Sequence, residues 1–299
     1  MQTGRASETA IICAAMRAAH PVLDEAPWIF FDELAMALSG LKDEAALRAK
    51  LASHEEYVTA FGGPATAKAF MRTGKLCGSF RARFAEDVLA DAMRRGVSQY
   101  VILGAGFDSY AYCRHDPKSG LRVYEVDHPD TQQEKVARLR QMGVTIPAST
   151  TFVSIDFTQD RLLDTLCRNG FDRAQPAVFC WLGVTWYLSD QDIDGVLRDI
   201  GSAAPGSQLV VDYILAEDLL PDEQRQLLKL LEGMASSYGE PGGNCFSPER
   251  MAARLKAHNF SSLVDIGAEE GNARYLGPRS DGLRIPEFLH IASARVAPP

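Results

Sequence analysis

The sequence predicts an α/β protein built on a doubly wound, largely parallel sheet, and three observations predict it. Four apolar residues, Tyr100, Val101, Ile102 and Leu103, run into Gly104-Ala105-Gly106 with Asp108 just beyond, the pattern of a buried strand emptying into a tight turn. The run 177–183 is apolar throughout, as a strand covered on both faces must be. From residue 99 onward, short strand-like runs alternate with helical periods, as crossover connections between parallel strands require.

Composition bounds the rest. A chain of 299 residues, 46% hydrophobic and 23% charged, can bury a sizeable core without staples. A net charge of −8 and a pI near 5.3 argue against a nucleic-acid partner, since neutralising phosphates takes clustered Lys and Arg. The cysteines at 13, 77, 113, 167, 180 and 245 form no C-x-x-C pair and stand near no His at metal-ligand spacing, so they read as reduced thiols with no metal site. Residues 1–21 carry too short an apolar run for a membrane span, and Glu8 with a helical period does not fit a signal peptide. The expectation is a cytoplasmic protein acting away from membranes.

In order along the chain, Ile11, Ile12, Ala15, Met16 and Ala19 recur at helical spacing behind Ser7 or Thr9 as a cap, and Pro21 is expected to stop the helix. Helical patterns follow over 31–38, 44–52 and, after the Gly62-Gly63-Pro64 break, 65–72. A helix over 80–95 with a Phe84, Val88, Leu89, Met93 stripe leads into the first strand. The second strand, 122–127, opens a helix at Pro129, with His128 structural; a third, 151–155, delivers Asp156-Phe157. The fourth, 177–183, precedes a helix over 190–200, and the fifth, 208–215, ends with Asp212 and Tyr213 near its outlet. A long helical pattern over 221–238, a Gly-Pro-rich break, a helix over 248–258 and strands near 261–266 and 287–296 complete the chain. The division expected is a helical cap, 1–79, and a catalytic domain, 80–299, with a helical insertion near 216–247 lying over the substrate.

The glycine turn carries the chemistry. Glycines let backbone approach a ligand with no Cβ in the way, and a helix starting there offers free N–H groups and a positive dipole end. The third position of a G-x-G-x-x-G fingerprint is Ser109 here, so the glycines alone fit a structural turn as well as a cofactor loop. The second strand closes with Glu125 and Asp127 about 20 residues after the loop, where acids bind ribose hydroxyls and repel a 2′-phosphate. Those residues leave open an NAD-dependent oxidoreductase and a non-catalytic binding module.

Several motifs together resemble the leucine carboxyl methyltransferase-like family of S-adenosylmethionine (SAM) enzymes. They are Ser7-Glu8-Thr9-Ala10 with Arg17, Arg81 with Arg83-Phe84, Gly104-Ala105-Gly106-Phe107-Asp108, Tyr124-Glu125-Val126-Asp127-His128-Pro129, Gly170-Phe171-Asp172, Trp181-Leu182-Gly183-Val184-Thr185-Trp186-Tyr187, Gly239-Glu240-Pro241 and Arg279-Ser280-Asp281. The resemblance spans nearly the whole chain. It implies a class I methyltransferase (Rossmann-like) fold, seven-stranded, with the last strand antiparallel, and SAM as cofactor with S-adenosylhomocysteine as product. It also implies that Arg81 holds the SAM carboxylate, that Gly104, Ala105, Gly106 and Asp108 form the cofactor loop with Glu125 and Asp127 on the ribose, and that Asp156 and Phe157 meet adenine. Carboxyl methyltransferases of the family carry an acid where this chain has Leu182, so that cofactor contact is lost or made by backbone. The departure fits a bacterial small-molecule O-methyltransferase of secondary metabolism better than a protein C-terminal carboxyl methyltransferase.

The acceptor is expected to be a carboxylate or an acidic hydroxyl of a small molecule. A carboxylate is already ionised at neutral pH, whereas a phenol, with a pKa of about 10, needs a base. Arg17 and Arg279 are candidates to hold a carboxylate. His20, Tyr187 and Tyr275 are possible helpers, although no His reads as paired with a local acid, and Trp186 and Tyr187 are candidates to line the pocket.

Overall fold

A computed structural model describes residues 6–157 and 160–298. Helix α1 (Glu8–Leu23) is capped by Ser7, whose side chain accepts from the Ala10 N–H. It runs two residues past Pro21, because a proline at the last turn removes one donor while the Asp24 N–H still closes on the His20 carbonyl. The pattern over 31–38 yields only the single turn α2 (Ala35–Leu38).

The three helices expected over 44–52, 65–72 and 80–95 are one kinked helix, α3 (Glu44–Arg94). At Gly63, φ +79 and ψ 170 take one residue out of the helix, and Pro64 starts the next turn, where its missing N–H costs nothing. The stretch 73–79 stays helical. A Cβ on Gly78 would stand 2.7 Å from the Arg17 Cγ, so this glycine permits close packing of α1 against α3 and does not end the helix. The cap-to-domain division drawn at 79/80 therefore falls inside α3.

The remaining elements are β1 (Gln99–Leu103), α4 (Tyr110–Cys113), β2 (Arg122–Asp127), α5 (Pro129–Gln141), β3 (Thr150–Ser154), α6 (Leu162–Arg168), β4 (Val178–Trp181), α7 (Asp190–Gly201), β5 (Gln208–Leu215), α8 (Asp222–Ser237), β6 (Cys245–Phe246), α9 (Pro248–Ala257), β7 (Phe260–Ile266), α10 (Ala268–Gly271) and β8 (Leu289–Val296). The strand order is β3-β2-β1-β4-β5-β8-β7. Strands β1 to β5 pair in parallel, and β8 is antiparallel to both β5 and β7. These seven are the expected strands. Two residues of the insertion add an eighth, β6, beside the end of β5.

β1 and β4 are entirely buried, and Trp181, Tyr124, Tyr213 and Phe179 are among the largest fully buried side chains. The order reverses between β1 and β4, and in open α/β sheets ligands bind in the crevice outside the carboxyl ends at such a switch point. No helix among the described residues is long and apolar enough to cross a membrane.

Candidate active site

The glycine elbow lies at that switch point. Gly104 and Gly106 adopt φ +64 and +45, left-handed backbone that only glycine takes without cost. The loop is tied to β2: the Ala105 N–H donates to the Val126 carbonyl at 3.0 Å, and the Gly106 N–H donates to the Asp127 carboxylate. The second Asp127 oxygen accepts the His128 N–H at 2.6 Å. Burial raises the Asp127 pKa, opposed by these two N–H donors. Asp108 accepts from the Tyr110 N–H at 2.9 Å and turns the chain into α4. That helix is a single turn, not the full helix expected after the glycines. Its dipole is correspondingly small, so the close approach that the glycines allow and the neighbouring side chains make the site.

The other predicted residues separate into those the fold gathers at the strand ends and those it uses elsewhere. Asp156 and Phe157 follow β3 directly, beside Asp127, whose carbonyl accepts the Ile155 N–H at 3.0 Å. Leu182 follows β4, half-buried against the core. Arg81 comes from α3: a Cβ on Gly183 would stand 3.1 Å from its guanidinium, and Nη1 donates to the Asp212 carboxylate at 2.8 Å. Asp212, 2% exposed, also accepts the Gly183 N–H at 2.6 Å. Burial works against the Arg81 charge, but the Asp212 carboxylate prevails and holds its pKa above the usual range.

Glu125 has a different partner from the expected ribose. It is paired by register with Ile102, inside the sheet, and α5 returns over it so that Lys135 meets its carboxylate at 2.7 Å, both nearly fully buried. Only Asp127, two residues later, clears the sheet edge. Arg17 donates to Asp32 at 3.1 Å and to the Phe107 carbonyl at 2.7 Å. Arg279 clamps the Pro27 and Glu25 carbonyls and pairs with Asp281. Tyr275 donates to Asp87 at 2.9 Å. His20 is fully buried, bonded to Asp24 at 2.8 Å and accepting from the Ile29 N–H; the acid four residues on is the local partner that sequence reading missed.

Tyr187 and Arg81 border a partly open pocket of about 150 Å³ lined by α1, α3, α8, the turn after β4 and the ends of β5 and β8. Its walls are mostly apolar, among them Ile12, Met16, Phe70, Trp186, Leu231 and Met234. Burial raises the Tyr187 pKa, while a hydrogen bond to the Thr9 side chain works the other way. α1 roofs both places: Thr9, Ile12 and Cys13 face the cavity, and a Cβ on Gly106 would lie 3.2 Å from the Ala10 Cβ. A residue unmarked as functional in the sequence holds this roof. Glu240, from the insertion, accepts the Glu8 N–H and the Ser7 hydroxyl, each at 2.9 Å, and the Thr9 hydroxyl. The available signal was Gly239-Glu240-Pro241, an acid in a break between helices.

The family described as Leucine carboxyl methyltransferase matches residues 10–201. The Bacillus subtilis protein YktD, designated an S-adenosyl-L-methionine-dependent methyltransferase, is 31% identical over 215 residues, covering 72% of this chain and 70% of that protein. A Mycobacterium marinum protein with the same designation is 40% identical over 134 residues, 44% of each chain. Among solved structures, a Thermobifida fusca methyltransferase superposes with TM-score 0.57 at 19% identity, covering 88% of this chain and 93% of that one. A Streptomyces avermitilis DUF574 family protein gives TM-score 0.58 at 16% identity, over 82% and 97%. These structural likenesses concern the fold.

Proposed function

The chain belongs to the leucine carboxyl methyltransferase family and is an S-adenosylmethionine-dependent methyltransferase; from that premise we propose that it methylates an oxygen, a carboxylate or acidic hydroxyl, of a small molecule in bacterial secondary metabolism. The observation that carries this reading is the small, mostly apolar pocket that Arg81 and Tyr187 border beneath α1. A space of about 150 Å³ suits a small molecule and leaves little room for the end of a folded protein. Leu182 in place of an acid supports the same choice.

The residues at the strand ends fit the cofactor. The positive-φ Gly104 and Gly106 would let backbone close on a nucleoside, and Asp127, bonded to the Gly106 N–H, would accept from ribose hydroxyls with its remaining lone pairs. Arg81 keeps N–H donors beyond those given to Asp212, and a guanidinium fork suits a carboxylate. Asp156 with Phe157 offers an acceptor for an exocyclic amine and an apolar face. Bound there, the cofactor supplies a methyl on sulfonium sulfur, the carbon–oxygen bond forming as the carbon–sulfur bond breaks and its electron pair stays on sulfur. The chain's part is to orient the acceptor oxygen and exclude water. For a hydroxyl acceptor, its proton would pass to the Tyr187 oxygen as Tyr187 gives its own proton to the Thr9 oxygen and Thr9 gives its own to the Glu240 carboxylate, which serves as the base.

Incubation of the protein with methyl-labelled SAM and panels of small carboxylic acids and phenols is expected to label a small molecule. Label found only in protein would overturn the reading, and thermal stabilisation by NAD but not by SAM or S-adenosylhomocysteine would overturn the cofactor assignment.

A further inference from the structure

We propose that the cavity between α1, α3 and α8 selects an uncharged, largely apolar molecule bearing a hydroxyl, and discriminates against carboxylates. This narrows the acceptor class just given and rests on that reading. The argument is one of charge. Among the described residues lining the cavity, Arg81 is the cation, and Asp212 neutralises it at 2.8 Å with only 14% and 3% of the two side chains exposed. A carboxylate moved into this space would lose its water without gaining an unpaired positive partner, which weakens its binding. Arg81 also lies against Gly183 at the end of β4, where its remaining donors would hold the cofactor's own carboxylate.

The two arginines that would relieve the cost are engaged elsewhere. Arg17 is bonded to Asp32 and the Phe107 carbonyl, and Arg279 to the backbone at 25 and 27 and to Asp281. Neither borders the cavity. What the walls offer is apolar surface from Ile12, Met16, Phe70, Leu231 and Met234, together with hydroxyls. Thr9 gives its hydrogen to Glu240 and so turns lone pairs toward other donors. That chemistry receives an alcohol or phenol: one O–H to bond, and a body that gains by leaving water.

The test uses a matched pair, 4-propylphenol and 4-propylbenzoate, titrated into the full chain saturated with S-adenosylhomocysteine. Tryptophan fluorescence reports occupancy, since Trp186 lines the cavity. The expected result is at least tenfold tighter binding of the phenol, lost in Leu231→Trp, which fills the cavity, and in Leu231→Glu. Isothermal titration should give S-adenosylhomocysteine affinities within threefold of the parent for whichever variant folds. Equal or tighter binding of the benzoate would overturn the proposal, as would millimolar phenol failing to bind or binding unchanged in Leu231→Trp. Failure of the parent protein to bind S-adenosylhomocysteine would instead strike the reading beneath it.

Discussion

Replacing Glu240 by alanine should loosen the roof of the site while leaving the sheet intact. Its carboxylate accepts the Glu8 N–H and the Ser7 hydroxyl at 2.9 Å and the Thr9 hydroxyl, with only 8% of the residue exposed. A hydrogen bond to a charged group contributes about 1.5–3 kcal/mol net, and an acid at a helix N-terminus adds up to about 1 kcal/mol. Water can re-enter around the half-buried Ser7 and Thr9, so the loss should be about 2–4 kcal/mol, well short of the sum of separate bonds. Ser7 keeps its own cap to the Ala10 N–H, so α1 should remain helical but undock. By hydrogen exchange, amides of α1 should lose protection about 30-fold or more beyond any change in β1, and Tm should fall by roughly 3–6 °C. Glu240→Gln, which keeps one acceptor oxygen, should lose about half as much. Unchanged exchange in α1 with Tm within about 1 °C would refute the idea that this acid holds the roof.

Other consequences can be checked separately. Lys135→Met leaves the Glu125 carboxylate buried without its cation and should cost about 3–5 kcal/mol in urea unfolding, whereas the pair replacement Glu125→Gln with Lys135→Met should recover much of it. Gly104→Ala forces a Cβ to within 2.3 Å of Val184 at φ +64, so SAM affinity should fall at least tenfold as the elbow shifts. Burial lowers the His54 pKa from 6.5 to about 4, with Lys50 adding to the effect. A histidine held neutral in the fold binds fewer protons than in the unfolded chain. Its contribution is therefore complete above pH 6.5 and is lost as pH falls toward 4, a change of about 2 kcal/mol once water access is allowed for. His54→Gln should flatten that part of the stability profile; an unchanged slope between pH 4 and 6.5 would count against it.

How much of this could be read from the sequence depended on how local the determinants were. The strands were legible because each is an apolar run closed by a glycine or an acid, and Gln99–Leu103 and Arg122–Asp127 lie where that pattern put them. The elbow and Asp127 came with them, since each closes one of these two strands. The helical half was harder. Glycines at 74 and 78 look like breaks, but Gly78 serves contact with Arg17 inside one continuous helix, and nothing local distinguishes the two uses. Glu125 and Asp127 look equivalent two residues apart; the difference is that α5 brings Lys135 back onto the first of them. Arg17 and Arg279 were plausible anion holders as residue types, but their partners at Asp32 and in the backbone near residue 26 are tertiary. Asp212 is legible in the sequence only as lying near the outlet of its strand, and its link to Arg81 spans 131 positions. The Glu240 contacts with Ser7 and Thr9 span more than 230.

Crystals of the protein grown with S-adenosylhomocysteine test the central claim most directly. The expected density places the nucleoside across the ends of β1 and β4, with Asp127 on the ribose hydroxyls, the amino-acid carboxylate on Arg81 and the sulfur facing the cavity beneath α1. Density that puts the ligand elsewhere, or that leaves Asp127 and Arg81 both out of contact with it, would contradict the account.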